Sequence, residues 1–239
     1  MTDCICLIPA RGGSKGIPAK NLHLLAGRQL VNWAIQQALA ADIGPTIVVT
    51  DSPDIAKIAD TWGVTAYDEP AELSGDSISM ESVMAWFLGQ RRERSGRLPD
   101  WLIVLQPTSP LRLSLMIREA WAVARSGAFD SVFSVVPSAH CSWRYQGEQI
   151  QMEWPQETQG KPRRRMLRQH AGRQVTENGA IYAVRTHRFL EEETRFCGRI
   201  YAYEMPLWTA WEIDGLEELA IVELLMRARM QLGSDGVRT

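Results

Sequence analysis

Short apolar runs alternate with amphipathic stretches along the first two-thirds of the chain. The apolar runs predict buried strands at 4–8, 46–50, 64–67, 101–105 and 131–136. Between them, apolar side chains recur at helical spacing and predict helices at 29–41, 53–62, 79–93 and 114–126. Alternating strands and helices are typical of a parallel sheet that is covered on both faces. We therefore predict an α/β fold.

The alternation breaks between residues 137 and 176, a stretch that is rich in Arg, Gln, Trp and Pro. Regular strand patterns return at 178–184 and 199–205, and a helical pattern at 216–232 closes the sequence. The interruption is typical of an inserted arm and not of a sheet. We predict a single domain over residues 1–239 that carries an arm at 137–176.

Composition excludes several classes of protein. The 239 residues are 45% hydrophobic and 23% charged, with a net charge of −2, so no overall basic field favours nucleic acid or a membrane surface. No apolar run approaches the roughly 20 residues that cross a bilayer. The chain enters its first strand without a signal-peptide pattern, and its four cysteines show no C-x-x-C spacing. We expect a cytoplasmic protein with reduced cysteines.

A glycine-rich, cationic loop follows the first predicted strand. Its glycines are Gly12, Gly13 and Gly16, and its cations are Arg11, Lys15 and Lys20. Glycine lets backbone N–H groups face an anion, and the cations add positive charge, so the loop predicts a polyphosphate site. Neither a Walker A sequence nor a G-x-G-x-x-G sequence is present in it.

The other unusual sequences also follow predicted strands. They fall in the loops at 51–53, 68–80 and 106–112, and the glycine-rich loop spans 9–21. In open parallel sheets, ligands bind beyond the carboxyl ends of the strands. We therefore expect these loops to meet in one binding site.

Five motifs carry a family resemblance. Residues 9–21 read Pro-Ala-Arg-Gly-Gly-Ser-Lys-Gly-Ile-Pro-Ala-Lys-Asn, which closely resembles the opening signature of the acylneuraminate cytidylyltransferases, the CMP-sialic acid synthetases. Four later motifs resemble the same family in the same order. They are Pro70–Leu73 with Asp76, Gln106–Arg112, Glu177–Tyr182 and Glu212–Asp214.

The resemblance implies a fold and a reaction. The fold would be a Rossmann-like nucleotide-diphospho-sugar transferase, with a mostly parallel sheet and a dimerisation arm at 137–176 that helps to build the partner's site. The reaction would couple CTP to a nonulosonic, sialic-acid-like 2-keto-3-deoxy acid sugar with Mg²⁺, giving the CMP-sugar and pyrophosphate. The protein would be a homodimer. We hypothesise that the sugar's anomeric 2-hydroxyl attacks the α-phosphorus directly.

The resemblance also implies roles for individual residues. Arg11 and Lys15 would hold the triphosphate and the departing pyrophosphate, and with Asp214 they form the catalytic candidates. The nucleotide-binding candidates are Ala10, Arg11, Gly12, Gly13, Ser14, Lys15, Lys20, Asn21 and Ser79. The sugar-binding candidates are Gln106, Arg112, Arg168 and Tyr182.

Three of the roles have structural alternatives. Asp214 is the leading metal candidate and Glu212 the second, and Asp214 could also cap the last helix. Asn21 could instead cap its turn, and Ser79 could be a plain helix N-cap.

The sequence departs from the family pattern at several positions. Glu69 replaces an arginine, Met80 a small hydroxyl residue, Thr176 an Arg or Tyr, and Glu212 an Asp. These departures leave other substrates open, namely legionaminate, pseudaminate, deaminated neuraminate or an octulosonate. A CTP-binding protein without catalysis is a further alternative.

Overall fold

The computed structural model describes residues 3–75, 77–138, 143–147, 149–152 and 173–231. Its strands are β1 (Cys4–Pro9), β2 (Leu24–Leu25), β3 (Arg28–Gln29), β4 (Thr46–Thr50), β5 (Thr65–Asp68), β6 (Trp101–Val104), β7 (Ser131–Pro137), β8 (Trp143–Gln146), β9 (Gln149–Met152), β10 (Val175–Arg185) and β11 (Ile200–Glu204). Its α-helices are α1 (Leu30–Ala41), α2 (Pro53–Thr61), α3 (Met80–Ser95), α4 (Ser114–Arg125), α5 (Thr186–Glu192) and α6 (Leu216–Gln231).

Seven strands form the central sheet, in the order β11-β7-β10-β6-β1-β4-β5. All neighbours are parallel except β10, which is antiparallel to both β6 and β7. The register of β10 shifts between Glu177 and Tyr182, where Gly179 has a φ of +66°. The prediction of a mostly parallel α/β sheet is confirmed.

Helices cover both faces of the sheet because each presents an apolar stripe to it. One core joins α1, α2 and α4 to the sheet, and a second core lies on the opposite face under α3 and α5. A third cluster packs α6 against Ile17, Leu25 and Leu111. Burying a side chain of this size stabilises the fold by about 1.5–3 kcal/mol. The third cluster therefore anchors the glycine-rich loop to the end of the chain.

The ends of the predicted arm differ from expectation. Val175 and Thr176 belong to β10 and pair with Pro137 and Val136 of β7, so the main sheet extends into the predicted arm. Within the predicted arm, β8 and β9 form a separate two-stranded antiparallel sheet. Residues 139–142, 148 and 153–172 of the predicted arm, which include Arg168, lie outside the described residues.

The cysteines and the lengths of the helices bear on two expectations drawn from composition. Cys4, Cys6 and Cys197 are free and buried, whereas Cys141 lies outside the described residues. Across the described ranges, no helix has the length and apolar character needed to span a membrane.

Candidate active site

A cavity of about 260 Å³ opens at the carboxyl ends of β1, β5 and β6. Its lining comes from the segments 9–21, 69–83, 106–108 and 212–214. Three of these segments are loops that the sequence assigned to one site. The fourth, just before α6, comes from the far end of the chain. The 51–53 loop does not line the cavity and lies behind the first segment, where the Asp51 carboxylate accepts a hydrogen bond from the Gly12 N–H at 2.6 Å.

The glycines of the loop have different roles. A Cβ on Gly12 would lie 3.0 Å from the Cβ of Ser52. The Gly12 N–H donates to the Asp51 carboxylate, so in this structure it does not point to a phosphate in the cavity. A Cβ on Gly16 would lie 1.8 Å from the backbone oxygen of Asp214. The space around Gly13 is open, and Gly13 lines the cavity. Close packing against neighbouring segments therefore explains two of the three glycines.

Lys20 fastens the loop to the segment before α6. Its Nζ donates to the backbone oxygen of Ile213 at 2.7 Å and lies 3.3 Å from Oδ1 of Asp214. The Lys20 side chain is 13% exposed, whereas that of Asp214 is 80% exposed. Together with the Gly16 contact, this bond places a cation and a carboxylate side by side at the cavity.

Arg11 and Asn21 shape the rest of the loop. The Arg11 guanidinium donates to the backbone oxygen of Ser74 at 3.2 Å, and the Asn21 amide donates to the backbone oxygen of Arg11 at 2.9 Å. Both residues line the cavity, as do Ala10 and Ser14. Asn21 thus closes the turn, which is the alternative that the sequence left open. Lys15 is exposed, and the cavity lining does not include it.

The Glu212 carboxylate is held at the cavity wall. Its Oε1 accepts a hydrogen bond from Thr108 Oγ1 at 2.7 Å, and Gln106 Nε2 lies 3.5 Å away. Burial raises the pKa of Glu212, and the Thr108 hydrogen bond opposes that rise. A Cβ on Gly179 would lie 2.6 Å from this carboxylate. The Asn-Gly motif therefore makes room for Glu212.

Asn178 fixes the strand shift that positions Gly179. Its amide nitrogen donates to Oγ1 of Thr209 at 3.1 Å, and its amide oxygen accepts from Ser134 Oγ at 2.6 Å. Its backbone oxygen accepts from Ser109 Oγ at 3.1 Å. Asn178 thus joins β7, β10 and the turn after β6.

Two sugar-binding candidates lie inside the fold. Arg112 is 0% exposed, and its Nη1 donates to the backbone oxygens of Ala180 at 2.5 Å and Gln106 at 3.2 Å. Burial lowers the pKa of Arg112 to about 9. Tyr182 is also buried, with its hydroxyl hydrogen-bonded to the Glu177 carboxylate, and burial raises its pKa.

Neither Arg112 nor Tyr182 lines the cavity, and their contacts with the sugar stay a prediction. Arg112 instead braces the turn that carries Gln106. Gln106 itself lines the cavity, and so does Thr108, which the sequence analysis missed. Thr108 lies inside the Gln106–Arg112 motif, which is the signal that could have identified it.

Ser79 fits both of its interpretations. Its Oγ accepts a hydrogen bond from the Ser82 N–H at 3.1 Å, so it is the N-cap of α3, and it also lines the cavity. Asp76, which belongs to the same motif region, lies outside the described residues.

Glu69 is a buried acid on the cavity wall, which the sequence analysis noted only as a departure. Its residue is 6% exposed, and burial together with the Asp51 charge raises its pKa to about 7, while Arg11 opposes the rise. A carboxyl in such a place can keep its proton near neutral pH.

Carboxylates of the cavity could share in metal binding without forming a complete site. In the described part of the chain, no group of three or more His, Cys, Asp or Glu residues could hold a metal ion. Glu212 and Asp214 both line the cavity. One or two carboxylates with substrate phosphates suit Mg²⁺.

Comparison with known proteins places the chain in a family. A family model described as "Cytidylyltransferase" matches residues 5–192. N-acylneuraminate cytidylyltransferase A of Danio rerio is 34% identical over 87% of this chain and 47% of its own length, and the enzyme of that name from Streptococcus agalactiae serotype V is 31% identical over 88% and 50%. The chain thus spans about half the length of these relatives. Post-translational flagellin modification protein B of Campylobacter coli is 27% identical over 98% of this chain and 100% of its own length.

Solved structures agree on the fold. CMP:2-keto-3-deoxy-manno-octonic acid synthetase in complex with CTP aligns with a TM-score of 0.69 at 17% identity, over 95% of this chain and 99% of that one. A 4-diphosphocytidyl-2C-methyl-D-erythritol synthase also has a TM-score of 0.69, at 12% identity, over 95% of this chain and 100% of that one. The family match and the sequence relatives together establish that this chain belongs to the cytidylyltransferase family.

Proposed function

We propose that this chain transfers the CMP group of CTP to a nonulosonic, sialic-acid-like sugar, with release of pyrophosphate. The observation that carries the proposal is the cavity that Arg11, Lys20, Glu212 and Asp214 line together, with Lys20 Nζ 3.3 Å from Oδ1 of Asp214. Cations suit a triphosphate, and the exposed Asp214 carboxylate suits the metal that accompanies it. The relatives named N-acylneuraminate cytidylyltransferase support the choice of substrates.

The glycine-rich loop would bind the triphosphate. Arg11 and Lys20 line the cavity, and Lys15 would reach the phosphates from the exposed part of the loop. Negative charge grows on the departing pyrophosphate, and fixed cations stabilise that charge. Gly13 and Ser14 line the same wall, where backbone groups can approach the phosphates.

Mg²⁺ fits the acidic side of the cavity. Asp214 is the better ligand because its side chain is 80% exposed, whereas the Glu212 carboxylate is already engaged by Thr108. A bound Mg²⁺ would neutralise phosphate charge and lower the pKa of the attacking hydroxyl. Lys20 would hold the Asp214 carboxylate at the cavity with or without the metal.

The transfer would be a direct displacement. The anomeric 2-hydroxyl of the sugar attacks the α-phosphorus of CTP, its proton passes to solvent, and the bond to pyrophosphate breaks. Gln106 would bind a sugar hydroxyl from the end of β6, and Ser79 would contact the nucleotide from the start of α3. Arg168 is kept as the candidate for the sugar carboxylate, although it lies outside the described residues.

A second candidate substrate is another nonulosonic acid. The Campylobacter coli flagellin modification protein matches over the whole of its length, whereas the N-acylneuraminate relatives match over about half of theirs. Legionaminate, pseudaminate, deaminated neuraminate and an octulosonate therefore stay among the candidate substrates. The same reaction would apply to each.

Assembly and location are part of the proposal. The 137–176 arm would pair two copies into a homodimer, and its hairpin β8–β9 stands apart from the main sheet in the topology. The free, buried cysteines Cys4, Cys6 and Cys197 suit the reducing cytoplasm.

Pyrophosphate release measured sugar by sugar tests the function. The protein is incubated with CTP, Mg²⁺ and one acid sugar at a time, and the CMP-sugar is identified by mass spectrometry. We expect release with at least one nonulosonic acid and none without sugar. CTP binding without release on any of these sugars would favour the non-catalytic alternative, and absence of CTP binding would refute the proposal.

A further inference from the structure

Glu69 places a carboxyl group at the wall of the cavity. It directly follows β5, is 6% exposed, and belongs to the cavity lining. Its backbone N–H donates to the backbone oxygen of Thr50 at 2.9 Å, which fixes the residue at the sheet edge. A buried carboxyl needs a hydrogen-bonding partner, because leaving it without one costs free energy.

The described part of the chain does not supply that partner. Among the residues that the structure describes, no hydrogen bond to the Glu69 carboxyl is formed. The charged groups that face it are Asp51, from the loop after β4, and Arg11, from the loop after β1. Asp51 already accepts the Gly12 N–H, and the two charges have opposite effects on Glu69. The carboxyl is therefore available to a ligand in the cavity.

The surroundings of Glu69 suit a nucleobase. Leu73, Ile78, Met80 and Val83 line the cavity along the same 69–83 segment. These side chains can cover the faces of a flat ring, which are apolar, while the polar edge of the ring needs hydrogen bonds. Lys20 lies beside Asp214 and suits phosphates, whereas Arg11 reaches the 69–83 segment and donates to the backbone oxygen of Ser74. The cavity therefore has a base side, lined by the 69–83 segment, and a charged side at Lys20 and Asp214.

A neutral carboxyl group matches the edge of cytosine. It offers one O–H donor and one carbonyl acceptor. Cytosine offers the reverse pair, since N3 accepts a hydrogen bond and the exocyclic N4 amine donates one. An ionised carboxylate has only acceptors and would face the N3 lone pair unfavourably. The pKa of about 7 means that Glu69 can carry the needed proton near neutral pH.

We propose that Glu69 is a base-recognition residue that binds cytosine as a neutral carboxyl, donating to N3 and accepting from N4. This inference rests on the proposed function only in so far as CTP occupies the cavity, and the sugar plays no part in it. Above the pH at which Glu69 ionises, CTP binding would take up one proton from solvent. The affinity should then fall by up to about tenfold per pH unit.

Calorimetric titration with CTP between pH 6 and pH 8.5 tests the inference. Runs in buffers with different heats of ionisation give the number of protons bound with CTP. Wild type should bind more weakly by about 30-fold at pH 8.5 than at pH 6, with net proton uptake at the higher pH. Glu69→Gln has a donor and an acceptor at all pH values, so it should keep the tighter affinity and lose the Glu69-linked uptake.

Two further variants complete the test. Glu69→Leu should weaken CTP binding at pH 6 by about tenfold, because two hydrogen bonds are lost that together contribute about 1.4 kcal/mol. Asp68→Asn removes an exposed carboxylate from the adjacent position and should leave the pH profile unchanged. The γ-phosphate of CTP also titrates in this pH range, and it does so with every variant. The pH profile of Glu69→Gln therefore shows the contribution of CTP alone.

Four outcomes decide whether Glu69 recognises the base. The inference is wrong if Glu69→Gln shows the same dependence of CTP affinity on pH, and the same proton uptake, as wild type. CTP binding that survives Glu69→Leu unchanged at pH 6 also overturns it, while leaving the cytidylyltransferase proposal intact. Absence of CTP binding by wild type refutes both, and a loss in Leu that Gln restores supports the inference.

Discussion

The charged side and the base side of the cavity are built in different ways. On the charged side, backbone contacts and the half-buried Lys20 hold the glycine-rich loop against Asp214, which lies near the other end of the sequence. On the base side, Glu69 belongs to a local segment between β5 and α3 and forms no hydrogen bond through its carboxyl with the described residues. The first side is thus organised before ligand binds, whereas the second leaves a polar group for the ligand to satisfy.

Because the two sides are built separately, base specificity and catalysis can change independently of each other. A change on the charged side disturbs both the loop and the segment before α6, because Gly16 and Lys20 join them. A change at Glu69 disturbs the local polar group while the surrounding apolar wall remains. We therefore expect damage on the charged side to affect turnover more strongly than damage on the base side.

The largest effect is expected from Asp214→Ala. Loss of the proposed metal carboxylate should lower the rate of Mg²⁺-dependent pyrophosphate release by at least about 100-fold, since electrostatic groups at such sites contribute effects of this size. The side chain is 80% exposed, so the melting temperature should change little.

Asp54→Ala is a matched control for Asp214→Ala, because Asp54 forms an exposed ion pair with Lys57 on α2. It should leave release unchanged. Undiminished release by Asp214→Ala would remove that residue from the catalytic centre.

Gly16→Ala should be next in size. The new Cβ would lie 1.8 Å from the backbone oxygen of Asp214, so the loop and the segment before α6 must separate. We expect a loss of about 2–4 kcal/mol in the free energy of unfolding, together with weaker CTP binding. Urea denaturation measures the first quantity and calorimetry the second.

Gly89→Ala provides the comparison for that variant. Gly89 lies in α3 with no atom within 4 Å of its Cβ position, so alanine should stabilise the helix by up to about 1 kcal/mol. If Gly16→Ala had the same effect on stability as Gly89→Ala, the close contact between Gly16 and the Asp214 backbone would be wrong.

The smallest of these effects concerns stability and pH at Glu69. Its pKa is raised from 4.5 to about 7 in the fold, so the neutral form favours the native state. That contribution is fully present below about pH 4.5 and is lost as the pH rises through about 7. Relative to wild type, Glu69→Gln should therefore gain stability from pH 5 to pH 8, by at most about 3 kcal/mol.

Urea unfolding at several pH values checks this prediction. The stability difference between Asp68→Asn and wild type should not follow the same pH curve, because Asp68 is exposed. A constant difference between Glu69→Gln and wild type would show that Glu69 titrates normally.

Much of the fold could be predicted because apolar residues recur with a clear strand or helix period in most of its elements. The bounds of β4 and α1 agree with their apolar patterns to within one residue, since both elements are strongly buried on the core side. The seven-residue helix α5 was missed, because two turns give too short a pattern to recognise. The sheet also continues into Val175 and Thr176, whose pairing with β7 is a non-local property.

The site was predictable in its location but less so in its details. Gly16 was correctly singled out, but its reason is the backbone of Asp214, a contact between opposite ends of the chain. Arg112 has the chemistry of a carboxylate ligand, yet the carbonyl of Ala180 takes its guanidinium inside the fold. Glu69 appeared only as an odd residue, because burial and the neighbouring Asp51 determine its protonation. Sequence patterns carry residue type and spacing, whereas these partners depend on the assembled fold.

The comparison between the two sides is tested most directly by binding CTP and inorganic tripolyphosphate to the same variants at pH 6. Lys20→Met should weaken both ligands by about tenfold, while Lys57→Met on the surface of α2 should weaken neither. Glu69→Leu should weaken CTP by about tenfold and leave tripolyphosphate unchanged. Equal loss of both ligands in Glu69→Leu, or of neither in Lys20→Met, would contradict the division of the cavity into a phosphate side and a base side.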